Sequence, residues 1–136
     1  MTQECTLIFE LEPPIPFTCA DGTGIEKGAI LTLTDPMTAA LAAADDAFVA
    51  GIAADEKIAN DGRTKIAVYR RGIFKGTANG AIAVGTSINT YSGTGASNDI
   101  HQAAAGHDKS MGEALETAAD NETFLFELKI HNRDEA

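Results

Sequence analysis

The chain has no tryptophan, only two cysteines, half as many basic as acidic residues and no long apolar run. Each shortage removes a class of protein. Without a stretch of about 18 apolar residues no membrane-crossing helix is expected. The opening Met1–Cys5 lacks the cationic start and apolar segment of a secretion signal, so the expectation is synthesis and retention in the cytoplasm. Ten basic against twenty acidic residues give a net charge of −10, which disfavours nucleic acid and anionic membranes, because both are bound by neutralising phosphate. Cys5 and Cys19 flank a proline-rich segment and read as two free thiols in a chain without an export signal. No C-x-x-C pair or Cys/His cluster has zinc spacing, so no structural metal is expected.

What is present points to β structure. Aromatic residues make up only 6% of the chain while 13 of 136 residues are glycine, the profile of short strands, many turns and a core of small side chains. A chain of this length fits one domain and buries roughly two thirds of its unfolded surface. The fold class expected is mainly β: a small barrel or sandwich of short antiparallel strands, an extended N-terminal arm and at most one short helix. Residues 1–20 form that arm, 21–131 a single β-rich domain and 132–136 a polar tail.

In the arm, Leu7, Phe9 and Leu11 alternate before Pro13, Pro14 and Pro16, which cannot donate to a sheet ladder. A segment carrying Leu7, Phe9, Leu11, Ile15 and Phe17 needs a surface to lie on, either its own domain or a partner's sheet edge. Glycine turns at Asp21–Gly24 and Glu26–Gly28 precede a strand from Ala29 to Thr34. Asp35 as N-cap, Pro36 at the first helical position and the Ala-rich run over 37–47 favour a helix, although a short strand fits as well. Phe48–Ala54 reads as a buried strand around Gly51, with Lys65–Phe74 as its antiparallel partner, and Ala81–Ile88 as a further strand. Tyr91–Asn98 is a surface loop by composition, and no repeat of solenoid length is visible. The last elements are the clearest: Met111–His131 reads as strand, acidic turn and strand, with Phe124, Phe126, Leu128 and Ile130 on one face and Leu125, Glu127, Lys129 and His131 on the other.

Chemistry is sparse. The serines fall in or beside turns and none sits in G-x-S-x-G. Asp45–Asp46 and Asp55–Glu56 are adjacent carboxylates, which diverge in strands and are solvated in loops. His101, His107, Asp99 and Asp108 could in principle hold a metal, but nothing orients them and they read as surface residues. Lys109 in Asp108–Met111 weakly matches the modified lysine of lipoyl carriers, without the matching halves of such domains. No catalytic, cofactor-binding or metal residue is assigned, and no enzyme is expected. The one charge feature is Lys65–Lys75, where Lys65, Arg70, Arg71 and Lys75 supply four of the ten basic residues. Such a run is either a solvated strand face or a patch that meets an acidic surface on a sister subunit or partner.

Gly22-x-x-Ile25-x-x-Gly28-x-x-Leu31, Asp46-x-Phe48-x-x-Gly51-Ile52-Ala53, Val68–Gly72 and Gly112-x-Ala114-Leu115-Glu116-x-Ala118-Ala119 together resemble the capsid decoration, or cement, proteins of tailed viruses. The similarity spans about Asp21 to Ile130. It implies a small β-rich domain, often trimeric, on the virion's capsid exterior, bound to the major capsid protein and clamping neighbouring capsomers. On that basis Leu7, Phe9, Leu11, Ile15 and Phe17 are the expected capsid contacts, Lys65, Arg70, Arg71 and Lys75 an electrostatic contact, and residues 1–17 dispensable for folding. The competing readings are a ligand-binding β-clip module of the antifreeze-like type, suggested by the Gly-Ile-Glu-Lys-Gly turn, and a carrier or accessory domain of an enzyme.

The alternation in the final strand generates a direct test. An unpaired buried carboxylate costs several kcal/mol, against a total stability of roughly 5–15 kcal/mol for a domain. Phe126→Asp is therefore expected to unfold the protein and a charge change at Lys129 to be tolerated, as read by circular dichroism. The opposite result would mean that the faces are inverted.

Overall fold

Four turns with one hydrogen-bonding pattern show that the chain is built twice. In the computed structural model, which describes residues 4–44, 46–91, 98–103 and 109–132, each turn follows a lone bridge residue. The bridges are Ile25↔Lys57 and Ile82↔Ala118, each closed by a reciprocal pair of N–H···O bonds of 2.7–2.9 Å. Three positions after each bridge residue stands a residue of positive φ: Gly28 (90°), Asn60 (63°), Gly85 (83°) and Asn121 (66°). Only glycine and asparagine reach that conformation cheaply, which is why they hold the third position of these turns.

The strands repeat as well. β1 is Thr6–Glu10; then come β2 (Ile15–Thr18), β3 (Ile30–Thr34), β4 (Thr38–Leu41), β5 (Val49–Ala53) and β6 (Lys65–Tyr69). The second set is β7 (Arg71–Ala78), β8 (Ser87–Tyr91), β9 (Asp99–Gln102), β10 (Lys109–Ala114) and β11 (Thr123–Asn132). The first set closes as the barrel β2-β4-β3-β5-β6, with β2 and β4 parallel at Thr18↔Thr38. The second follows the same cycle, β7-β9-β8-β10-β11, returning on itself through the parallel pairing of β7 with β9 at Thr77↔Asp99. From β2 to β11 the chain thus runs as two consecutive five-stranded sets with one pairing order. β1 stands outside both cycles and pairs antiparallel with β7.

The units share a buried seam. Phe17, Leu31, Ala50, Ala53, Ile66 and Val68 fill the first barrel, whereas Ile30, Val49 and Ile52 point out of it into the core formed by Phe74, Ile88, Met111, Phe124, Phe126 and Leu128. β5 is therefore buried on both faces, which explains its unbroken apolar sequence. At the matching places Gly51 and Gly112 lie so close to the facing strand that an added Cβ would fall on the carbonyl oxygen of Tyr69 or Glu127.

Several expectations change. The described residues of 37–47 hold no helix: the chain reverses at Asp35–Met37 and returns as β4, registered Thr34↔Thr38 to Leu31↔Leu41, with Ala39 buried in the barrel. Pairing and burial outweigh the local helix signals. Lys65–Phe74 is not one strand, because β6 belongs to the first barrel and β7 to the second. Between 81 and 88 only Ile82 bridges before β8 begins. The N-terminal segment is extended as expected but lies within the fold, since β1 adds to β7 and β2 is a barrel strand. Removing residues 1–17 would take away Phe17, 1% exposed in the first barrel, so the truncation is expected to destabilise the fold. The closing hairpin has the expected faces, with Phe124, Phe126 and Leu128 buried and Lys129 and His131 exposed. Cys5 and Cys19 are free and sit in different cores. Most of the Tyr91–Asn98 loop, His107, Asp108 and the tail beyond 132 lie outside the described residues.

Gly112→Ala is expected to cost roughly 3 kcal/mol or more, because the new methyl meets backbone that cannot yield. Gly80→Ala, with positive φ but open space around it, should cost about 1–2 kcal/mol. Thermal melts of the two variants measure the difference.

Candidate functional site

The outer face of β7 is set by alternation. Gly72, Phe74, Gly76 and Ala78 point into the second barrel, which leaves Arg71, Ile73, Lys75 and Thr77 pointing out. Register supplies their neighbours. Phe9 of β1 lies opposite Ile73 and Thr6 opposite Lys75, while across β11 Ile73 meets Glu127, Lys75 meets Leu125 and Arg71 meets Lys129. The result is an apolar group of Phe9, Ile73 and Leu125 bordered by Arg71, Lys75 and Lys129. Phe9 is 62% exposed, a large cost for an aromatic ring in water, and Leu11 on the following link and Ile15 at the start of β2 are also exposed. Arg71 bonds Glu127 at 3.1 Å and approaches Glu12 at 3.7 Å, and such half-exposed pairs hold geometry more than they stabilise. Arg70, Arg71 and Lys129 gather with Glu12 and Ile130 around one shallow depression.

Of the residues expected in the arm site, Phe9, Leu11 and Ile15 are on the surface and Leu7 is partly buried against the second core. Phe17 is not a surface contact: it fills the first barrel, because it shares a face with Ile66 of β6. Of the basic set, Arg70, Arg71 and Lys75 join this region, whereas Lys65 stands apart at the start of β6, donating to Thr18 Oγ1 at 3.0 Å. Ile73 and Leu125 were missed as site residues. Their outward positions in alternating strands were the available signal.

A second constellation is buried. Lys57 occupies the position held by Ile25, Ile82 and Ala118 in the other turns, and its ammonium is fully enclosed. Nζ donates to Asp61 Oδ1 (2.9 Å), Asp21 Oδ1 (3.1 Å) and the carbonyls of Asp21 (2.8 Å) and Ile58 (3.0 Å). Burial alone would lower the Lys57 pKa, but the bonds with Asp61 and Asp21 outweigh it and raise the value. A lysine held this firmly as an ammonium is a clamp between turns and no nucleophile. The Arg63 N–H and then Lys57 hold Asp61 down at about 2. Burial raises the Cys5 thiol to about 12 and also raises Cys19, which favours the neutral thiol at both buried positions. His101 directs Nε2 to Asp46 Oδ1 at 2.9 Å and its ring lies 5.4 Å from that of Tyr91, so it links the two units. Among the described residues no group of three or more His, Cys, Asp or Glu could hold a metal ion.

The family model of the phage cement proteins matches residues 11–130, nearly the whole described chain. No curated protein matches.

The clamp predicts an acid limb. With its folded pKa below the ordinary carboxylate value, Asp61 contributes stability that is complete above about pH 4 and is lost as pH falls toward 2. Asp61→Asn is expected to lower the melting temperature at pH 7 by roughly 5 °C or more and to flatten the loss between pH 4 and pH 2. Melting curves of both proteins across pH 2–7 check this.

Proposed function

The chain belongs to the phage cement proteins, structural components of phage capsids, and from that premise we propose that it binds the exterior of the head and stabilises contacts between capsomers. The major capsid protein is its partner, and a homo-oligomer, with a trimer favoured, is its working form. No catalysis is part of this role. The observation that carries the reading is the face built on Phe9, Ile73 and Leu125 with Arg70, Arg71, Lys75 and Lys129 around it, on a body whose net charge is −10. An exposed apolar centre with a charged rim is the anatomy of a protein interface. The cations orient an otherwise acidic molecule toward an acidic surface and fix its register. Phe9, Leu11 and Ile15 with Leu7 supply the apolar contacts, and Phe17 is withdrawn from that set.

Modest contacts suffice when an oligomer engages several capsomers at once, because each further contact forms at high effective concentration. Phe9→Asp and the double change Arg71→Gln with Lys75→Gln alter exposed side chains and should leave the melting temperature nearly unchanged. Each is expected to weaken binding to heads lacking the protein by about tenfold or more, and the protection of those heads against heating should fall with it. Sedimentation with heads measures the first effect. Full binding by both variants would remove this face from the proposal.

A further inference from the structure

β1 uses one of its two edges. Its inner edge pairs with Gly72–Lys75 of β7, and among the described residues no strand pairs with the other. The Cys5 N–H points away from β7, donating to Gly28 O at 2.8 Å, so alternation turns the Leu7 amide and carbonyl outward as well. Thr6, Ile8, Phe9 and Glu10 are exposed, and none of Thr6–Glu10 is a proline or lysine of the kind that blunts a free edge. In the first barrel the edge of β2 that corresponds to the β7 edge covered by β1 receives no such strand. There Thr18 N–H turns outward to Met37 O while Cys19 N–H turns inward to Thr64 O, which places Pro16 on the outward side with no proton to donate. Pro16 thus closes that edge by sequence, whereas the outer edge of β1 beyond its Cys5–Gly28 bond is unpaired among the described residues.

Beside the open edge lies a groove of about 460 Å³ lined by Glu4, Cys5, Thr6, Leu7, Lys27 and Tyr69. A strand added to β1 would send alternate side chains into this groove and the others out beside Phe9. The charges decide between occupants. Glu4, Glu10 and Glu12 flank the apolar part of the segment, so two copies pairing antiparallel about Ile8 would set Glu4 against Glu12 at both ends. The turn that carries Glu26 packs against Glu4, whose Cβ lies 3.0 Å from where a Cβ at Gly28 would stand, and this like-charge neighbour raises the Glu26 pKa. A cation arriving there relieves it.

We propose that the outer edge of β1 is a receptor for an extended segment of another head protein, one with alternating apolar residues and a lysine or arginine that passes Glu4 and Glu26. This rests on the head-binding reading above and adds to it the mode of attachment, strand addition, and the charge of the partner segment. The test is hydrogen exchange by mass spectrometry on the full chain, free and bound to heads lacking it. Backbone amides in peptides covering residues 4–11 are expected to exchange about tenfold more slowly or better when bound, since an added strand engages the outward groups. The double change Glu4→Lys with Glu26→Lys should weaken binding by about tenfold or more at unchanged melting temperature. Binding by the wild type without protection of residues 4–11 overturns strand addition and leaves the head-binding reading standing. Protection that grows with concentration in the free protein identifies a second copy as the occupant and overturns the proposal. Absence of wild-type binding overturns both readings.

Discussion

Everything on the surface depends on the seam between the two barrels. β5 is covered on both faces, and Ile30, Val49 and Ile52 each leave water by entering the core of the second unit, worth roughly 1.5–3 kcal/mol per side chain. Polar groups close the same seam. Thr90 Oγ1 donates to Ala44 O at 2.9 Å and accepts from Ala47 N–H at 3.1 Å, and Asn98 Oδ1 accepts from Ile30 N–H at 2.9 Å. Lys109 Nζ sits 4.4 Å from the centre of the Phe48 ring. Among the described residues no buried side-chain nitrogen or oxygen is left without a partner. Cys5 and Leu7 take part in that second core, so β1 is anchored to the seam rather than hung on one barrel. A rigid base is what an attachment strand requires, because ordering it on contact would subtract from affinity.

The two units share a backbone plan and differ in what fills it. The first barrel is packed with small residues, Ala29, Ala39, Ala50 and Ala53, around Phe17, and uses the enclosed Lys57 where the second uses Ala118. The second carries Phe74, Phe124 and Phe126 with ring centroids 5.6–6.1 Å apart. It alone receives a strand from outside the two cycles, β1. The duplication supplies the scaffold, and the departures from it supply both the clamp and the surface.

The sequence was legible where order is local. The final hairpin follows period two, and its faces are those the alternation requires. The Ala-rich stretch at 37–47 misled because Asp35, Pro36 and the alanines all speak for helix locally, whereas registry with β3 is a long-range fact. Phe17 misled because Pro16 beside it signals an edge, whereas β2 pairs with β6 along its length and with β4 at Thr18, which leaves only its first residues unpaired on the Pro16 side. The repeat was present in Gly51-x-Ala53-x-Asp55 with Asn60 and in Gly112-x-Ala114-x-Glu116 with Asn121, and in Ile25-x-x-Gly28 with Ile82-x-x-Gly85. It escaped notice because glycine and asparagine are interchangeable at positive φ and because Lys57 breaks the apolar pattern. The candidate face was half legible. Its charges and aromatic residue stand in the sequence, but the pairing that joins them spans more than sixty positions.

That pairing also explains how a strand of core composition becomes a surface strand. In a regular ladder Leu7 and Phe9 lie two positions apart and share a face, so both would be buried or both exposed. The register shift between them breaks this rule, leaving Leu7 opposite Phe74 and facing inward, and Phe9 opposite Ile73 and facing outward. Leu7 then anchors the strand while Phe9 meets solvent. A one-residue bulge therefore separates anchoring from adhesion. It does so beside Arg70, Arg71, Lys75 and Lys129, four of the ten basic residues of an acidic protein, where an apolar contact and a charge contact reinforce one orientation. The attachment surface is in this sense a property of register, created by Ile8 standing unpaired between two side chains of nearly the same chemistry.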